Sequence, residues 1–418
     1  MLTDKGGFVL LLGGLTYLVG WLFGSDALYP VGIGMVVAVL AGLLWVRFLA
    51  RPTYLARSLD GTSHIDGDDV RVDLAVDIDG LVPPGSIRVV ETVAELGQHE
   101  VGLAHTRWRL RRRQFGGSYV FAQVARGRYG ISPAVVTVED AFALASRQTE
   151  FAVQGALLVY PRLVELDALF SDGGMHLASG RRLLIQRQSG FDFHSMREYE
   201  QGESLRRVHW PSTARRGKLM VKELEDAPRE EALVLLDACA STVVGEGKDN
   251  TFELAVRAAG SLTRAQAARG RRVGLLLNDQ ARSYQAVHSL EGDWARAFEL
   301  LAYAKADGLH PVAGLLTEGA GVASQVLHVT VVTSGLDARL ADRLVQRTRG
   351  KRGTALVYIE GLSFSVSGAS ADRPPAIVHG QLTRLERAGV PVAVLRRGDD
   401  LAERLAFQPS TTQAASVG

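Results

Sequence analysis

Two uncharged apolar runs near the start of this chain restrict its fold more than any other feature. From Gly6 to Ser25 there are 20 residues without a charge, and from Ala27 to Val46 another 20. A helix rises about 1.5 Å per residue, so each run is long enough to cross a hydrocarbon core of about 30 Å. A cleaved signal peptide would account for the first run alone. No small-x-small cleavage site appears before the second run, which begins almost at once, so two spanning helices are the better expectation. Only a few residues around Ser25 and Asp26, up to the helix-breaking Pro30, separate them, which predicts a transmembrane helical hairpin over residues 1–50.

The flanking charges orient that hairpin. Lys5 precedes the first run, Arg47, Arg51 and Arg57 follow the second, and the connector carries only Asp26. The positive-inside rule then places both termini in the cytoplasm of a cell-membrane protein. Gly13-Gly14 and the Gly32, Gly34, Gly42 series give small faces for close helix approach. No charge lies deep in either run, so a transport pathway finds no support.

The remainder has a globular balance. Of 418 residues, 47% are hydrophobic and 22% charged, enough for two or three domains with buried cores. Lys plus Arg number 47 against 45 Asp plus Glu, a net charge of +2, and so give no case for a nucleic-acid partner. The single cysteine, Cys239, excludes an intrachain disulfide and any multi-cysteine metal cluster.

Residues 51–165 read as an antiparallel β-sandwich. Val70-Arg71-Val72-Asp73-Leu74-Ala75-Val76-Asp77-Ile78 alternates apolar and polar, and Gly80 and Pro83-Pro84-Gly85 mark turns. Short runs follow at Ile87–Val93, Thr106–Leu110, Ser118–Val124, Ala134–Val138 and Leu157–Tyr160. The triplet Arg111-Arg112-Arg113 reads as a solvated hairpin edge. From residue 231 to 407 the rhythm becomes strand, helix, strand. Strands are expected at Ala232–Leu236, Val273–Leu277, Val326–Val332, Thr354–Ile359 and Val390–Leu395, with helices between them. This predicts a mainly parallel sheet covered by helices on both faces. The polar tail 408–418 reads as disordered.

Between these regions, at 166–230, lies a segment of mixed charge expected to pack on the last domain. From Arg197 to Glu223 there are seven Lys or Arg and four Glu, interleaved with Tyr199, His209 and Trp210. Arginine forks meeting carboxylates and lying on aromatic faces would make an ordered polar knot; the other readings are a binding surface and a plain solvated face. Arg197-Glu198-Tyr199, Gly202-Glu203, Arg206, His209-Trp210, Ala214-Arg215 and Lys218-Leu219, with Lys222-Glu223 and the strand ending at Asp237, resemble the core signature of the family of proteins of unknown function numbered 58. Upstream, Arg126-Gly127-Arg128-Tyr129-Gly130, the turn Glu139-Asp140-Ala141-Phe142, and Val159-Tyr160-Pro161 resemble the stretch that family places before its signature. The resemblance implies a membrane-anchored protein with a von Willebrand factor A-like domain. It further implies a partnership with a MoxR-type AAA+ ATPase in assembling or maturing envelope or other protein complexes.

In open α/β sheets ligands bind beyond the carboxyl ends of the strands, which directs attention to Asp237-Ala238-Cys239-Ala240-Ser241. This run resembles the Asp-x-Ser-x-Ser adhesion-type metal motif with Cys239 in place of the middle serine. Mg²⁺ prefers oxygen ligands, so a degenerate site at Asp237 and Ser241 competes here with a metal-free interaction surface. The third strand ends Thr333-Ser334-Gly335-Leu336-Asp337, its acid displaced from the position such a domain uses. Cys239 is a candidate nucleophile only if His194 or His209 reaches it, and a buried structural thiol is the commoner outcome. Glu198, Glu200, Glu203 and Asp192 could pair as carboxylates for hydrolysis, although ion pairs with the neighbouring arginines are the simpler reading. Gly116-Gly117 and Gly173-Gly174 lack the Lys-Ser/Thr of a phosphate loop, and there is no nucleophile elbow or His-Glu-x-x-His run. The expected function is therefore that of a non-enzymatic adaptor without a cofactor, against a hydrolase or thiol enzyme and a lipid-proximal scaffold.

Overall fold

The computed structural model describes residues 1–61, 63–80, 83–108, 112–152, 155–171, 193–198, 210–224, 232–316, 322–350, 352–365 and 376–406. The chain divides into two compact units, Met1–Tyr160 and Pro161–Gly418.

The first unit opens with helices α1 (Asp4–Phe23) and α2 (Leu28–Leu44), the latter continued by a π-helical turn, Trp45–Leu49. Thr3 Oγ1 caps α1 by accepting from the Gly6 N–H at 3.0 Å, and Gly24, at φ 65°, ends it in the left-handed conformation. Pro30, expected as a breaker outside the helices, lies in the first turn of α2, where its missing N–H removes no helical bond. Of the small residues in the two runs, Gly13 and Gly32 set the contact. A Cβ at Gly32 would lie 2.8 Å from the Gly13 carbonyl oxygen, whereas Gly14 and Gly34 face open space. Phe8, Leu11, Trp21 and Leu40 stand exposed on the outer faces. Both helices are long and apolar enough to cross a membrane, over Asp4–Phe23 and Leu28–Phe48.

Among the described residues of this unit eleven strands follow: β1 (Arg51–Leu59), β2 (His64–Ile65), β3 (Val70–Asp79), β4 (Ser86–Val93), β5 (Gly97–Gly102), β6 (Ala104–Trp108), β7 (Arg112–Phe121), β8 (Gly127–Ile131), β9 (Ala134–Glu139), β10 (Ser146–Phe151) and β11 (Gly155–Tyr160). They form a sheet of order β1-β3-β7-β6 and a second of order β10-β9-β4-β8-β11-β2, with β5 paired to β4. Pairing is antiparallel throughout except for the short β11·β2 ladder. The alternation in β3 buries Val70, Val72, Leu74, Val76 and Ile78 in one apolar core with Val89, Val136 and Val159. Arg57 on β1 and Tyr119 on β7 both bond Glu91 on β4, joining the two sheets. The Arg57 Nη2 to Glu91 Oε1 distance is 2.5 Å, and Tyr119 donates to Oε2 at 2.7 Å. Glu91 is 1% exposed, so these are the bonds that offset its burial. Burial and the Glu91 carboxylate push the Tyr119 hydroxyl pKa well up. Arg113 corrects the solvated-edge expectation: it lies within β7 and is buried.

The turn between β9 and β10 holds the base of the helices. Asp140 accepts from the Ala145 N–H at 2.6 Å and the Phe142 N–H at 3.0 Å, and its carboxyl carbon would lie 3.3 Å from a Cβ at Gly42. Thr3 donates to the carbonyls of Ala143 and Leu144 in the same turn.

The second unit contains β12 (Phe193–Glu198), α3 (Trp210–Arg216) and β13 (Met220–Leu224), with β12 and β13 antiparallel. Beyond them come β14 (Ala232–Leu236), the small hairpin β15 (Gly245–Glu246) and β16 (Asp249–Asn250), α4 (Thr251–Ala268), β17 (Val273–Leu277), β18 (Tyr284–Val287), α5 (Trp294–Tyr303), α6 (Val322–Gln325), β19 (His328–Thr333), α7 (Ala338–Arg349), β20 (Gly353–Ile359), α8 (Ala376–Arg387), β21 (Val392–Leu395) and α9 (Leu401–Leu405). The sheet runs β18-β17-β14-β19-β20-β21, parallel except for the antiparallel edge strand β18, which the strand-helix rhythm did not reveal. Every residue of β14 and β17 is buried, as a central strand covered on both faces requires. Asn250 caps α4 through the Glu253 N–H at 2.9 Å, and Asp337 caps α7 through the Leu340 N–H at 2.7 Å.

Candidate functional site at the strand ends

From β14 the chain leaves first to β17 on one side and later to β19 on the other, so the carboxyl end of β14 is the topological switch point of the sheet. Asp237 is the first residue beyond β14 and is 5% exposed. Its Oδ2 accepts from Thr333 Oγ1, at the end of β19, at 2.6 Å. Its Oδ1 accepts from the Cys239 N–H at 3.1 Å and from Asn278 Nδ2, just beyond β17, at 3.4 Å. Asn278 also donates to the His310 carbonyl at 2.6 Å. Burial raises the Asp237 pKa, against the lowering effect of its bonds from Thr333, Cys239 and Asn278.

The row continues along the sheet edge. Glu360, the residue after β20, is 1% exposed, and Arg396, the residue after β21, bonds its Oε2 at 2.7 Å. In sheet order the strand ends therefore present Asn278, Asp237, Thr333, Glu360 and Arg396. Asp237 and Thr333 stood out in the sequence. Asn278, Glu360 and Arg396 did not, although each is the first polar residue after an apolar strand run, which was the available signal. Glycines let the loops close over this edge. A Cβ at Gly308 would lie 2.0 Å from the Asn278 carbonyl oxygen, and the Gly308 N–H donates to the Ala238 carbonyl at 2.9 Å.

Cys239 is buried, and its Sγ lies 3.3 Å from Ser241 Oγ. The side chain of His194 and the whole of His209 lie outside the described residues. Ser241 thus approaches the thiol, and no hydrogen bond links it to Asp237. Asp337, the displaced acid of the third strand end, is committed to capping α7. Mg²⁺ favours several oxygen ligands including carboxylates. The Asp237 oxygens already serve three donors, and among the described residues no three His, Cys, Asp or Glu side chains gather at one point. This donor set fits a resident Mg²⁺ poorly.

The signature residues divide differently. Arg197 and Glu198 lie on β12, opposite Val221 and Met220 of β13, with their side chains outside the described residues. Tyr199, Gly202, Glu203, Arg206 and His209 also fall outside, as do the candidate carboxylates Asp192 and Glu200. Trp210 begins α3 and is 63% exposed. Arg215 and Lys218 are exposed on α3 and in the turn after it, which Gly217 makes at φ 66°. The Met220 N–H, donating to Thr213 Oγ1 at 3.0 Å, ties that turn back to α3.

The architecture defines a class: an open, mainly parallel α/β sheet with a polar strand-end row, in a chain that also carries an antiparallel sandwich and two helices able to cross a membrane. Residues 195–302 match the model of the family described as protein of unknown function DUF58, in line with the resemblance carried by the signature segment. An uncharacterized protein of Bacillus subtilis (strain 168), YeaD, is 24% identical over 222 residues, covering 52% of this chain and 53% of that protein. The chain thus matches about half the length of that relative. Among solved structures, the cycloalternan-forming enzyme of Listeria monocytogenes is 12% identical, with a TM-score of 0.18 over 28% of this chain and 10% of that one. A CARDB domain from Pyrococcus furiosus is also 12% identical, with a TM-score of 0.17 over 26% of this chain and 94% of that domain. At these scores neither sets the fold.

Proposed function

We propose that this protein is a membrane-tethered adaptor whose A-like sheet docks a partner at its strand ends. The observation that carries this reading is the Asp237 carboxylate at the switch point, spent on positioning Thr333, Asn278 and the Cys239 N–H. Such an arrangement shapes a loop edge for recognition and leaves Cys239 with a serine hydroxyl as its neighbour. The strand order, with an antiparallel edge strand beside the parallel core, is compatible with a von Willebrand factor A-like domain. Family resemblance supplies the partner class, a MoxR-type AAA+ ATPase acting in assembly or maturation of protein complexes. Trp210, Arg215 and Lys218, all exposed, would add a second contact surface. The two apolar helices anchor the protein in the cell membrane with both termini cytoplasmic.

A detergent pull-down of the full chain from its own cell lysate, run in parallel for the wild type and Asp237→Ala, tests this reading. Recovery of an AAA+ ATPase that weakens with Asp237→Ala supports it. If neither form recovers an ATPase, the adaptor reading fails and a thiol or carboxylate enzyme becomes the better account. A reporter fused after Gly418 should read out in the cytoplasm; a signal from the opposite face would overturn the orientation.

A further inference from the structure

We infer that Arg47, Arg51 and Arg147 form a clamp for the phosphate of an anionic glycerophospholipid at the base of the helical hairpin. This inference rests on the membrane-spanning reading of α1 and α2. Arg51 Nε and Arg147 Nη1 both donate to the Arg47 carbonyl oxygen, each at 3.0 Å, so two guanidinium groups converge on one point. The guanidinium carbons of Arg47 and Arg51 lie 5.9 and 5.6 Å from the centroid of the Phe48 ring. Arg47 and Arg51 thus share one ring, and Arg51 and Arg147 share one carbonyl, so three cations from two separate stretches, the end of the hairpin and strand β10, are drawn together through Arg51.

No acid among the described residues forms an ion pair with any of the three, and Asp79, opposite Arg51 in the β1·β3 register, does not bond it. Arg88 in the same unit shows the contrast, since it bonds both Glu100 and Glu139. Like charges brought together without a counter-charge repel, and an anion seated between them removes that penalty. A phosphate suits three guanidinium forks, which can donate to its oxygens in parallel.

Position selects the source of that phosphate. The clamp sits where the second apolar run ends, with Phe48 54% exposed, Leu44 58% exposed, and Phe142 75% exposed on the turn that holds the helix bases. Trp45 donates from its indole N–H to the Pro83 carbonyl at 3.2 Å. Aromatic rings and arginines at the end of an apolar helix are the composition of a membrane interface, and Leu44 and Phe48 offer acyl chains a surface that a free anion would not use.

The test uses full-length protein in nanodiscs of phosphatidylcholine with or without phosphatidylglycerol, with retained lipids counted by native mass spectrometry after release. The wild type should retain phosphatidylglycerol selectively. The variant Arg47→Gln/Arg51→Gln/Arg147→Gln should lose roughly tenfold or more of that preference, given three basic residues near an anionic surface. Arg296→Gln, an exposed arginine on α5, should retain it fully. Arg47→Gln alone should show a partial loss; because the Arg47 side chain makes no hydrogen bond among the described residues, misfolding would not explain that loss. A triple variant that inserts and keeps the wild-type preference overturns the clamp while leaving the anchor intact. Saturable binding of inorganic phosphate to protein in phosphatidylcholine-only discs, at strength equal to that of the lipid, overturns the lipid assignment. Failure of the wild type to insert overturns the membrane reading and the clamp with it.

Discussion

Replacing Asp237 by asparagine and by alanine separates a positioning carboxylate from a metal ligand. In Asp237→Ala the Thr333 hydroxyl can still turn to the Gly335 carbonyl, 3.2 Å away, and Asn278 keeps its bond to the His310 carbonyl at 2.6 Å. The Cys239 N–H is left buried without its acceptor, a loss of about 1–3 kcal/mol. Removing a buried carboxylate offsets part of this, so a net destabilisation of about 1–2 kcal/mol at neutral pH is expected, a shift in Tm of roughly 2–8 °C. Asparagine keeps an acceptor for the Cys239 N–H and Asn278, and Thr333 need only reverse its hydroxyl toward Gly335, so no bond is lost.

The pH dependence has a definite sign. Burial raises the folded-state pKa of Asp237, so its contribution is fully present below the unfolded pKa and is lost as pH rises through the folded value. Asparagine does not titrate, and Asp237→Asn should match the wild type in acid and gain on it toward neutral pH. Thermal unfolding of the full chain in detergent, from acid to neutral pH, reads both effects. If Asp237→Asn is less stable than Asp237→Ala, or if the Asn difference does not change with pH, the positioning argument is refuted. If Mg²⁺ raises the wild-type Tm at neutral pH but not that of either variant, the carboxylate is a metal ligand after all.

Further expectations concern the frame around the site and the anchor. Glu91→Ala strands the Arg57 guanidinium inside the sandwich and should cost about 3–5 kcal/mol, whereas Arg57→Met/Glu91→Leu should recover most of it; denaturant unfolding in detergent decides. Asp140→Ala leaves the Ala145 N–H without its acceptor and should destabilise the helix-base turn by about 1–3 kcal/mol, read as faster amide exchange at residues 142–145. Trp210→Ala should change stability by less than about 0.5 kcal/mol because the ring is exposed, and any loss of partner binding at unchanged Tm marks a contact surface. Gly308→Ala should disturb the strand-end loops, because its Cβ would press on the Asn278 carbonyl; reduced melting and partner capture together would report it.

Local pattern was sufficient for much of the fold. Alternation in Val70–Ile78 gave β3, the unbroken apolar runs gave β14 and β17, and the two uncharged runs gave α1 and α2. It failed where burial is not visible locally. Arg113 looked like a solvated edge because a charge run usually is one, yet it is buried within β7. Tyr284–Val287 lacked the length and bounding signals that would have marked β18. Pro30 was read as a break because a proline removes a donor, a loss that does not matter in a first helical turn.

What the sequence by itself determined is the set of elements and their kind, because helix and strand periods and apolar run lengths are properties of neighbours along the chain. The DUF58 signature was legible for the same reason, as a fixed order of residue types over a short span. Tertiary structure alone decided which residues meet. Asp237 and Thr333 are 96 positions apart, and Arg47 and Arg147 are 100 apart. Strand order and the register of packed elements join such pairs, and neither is encoded in the local periodicity.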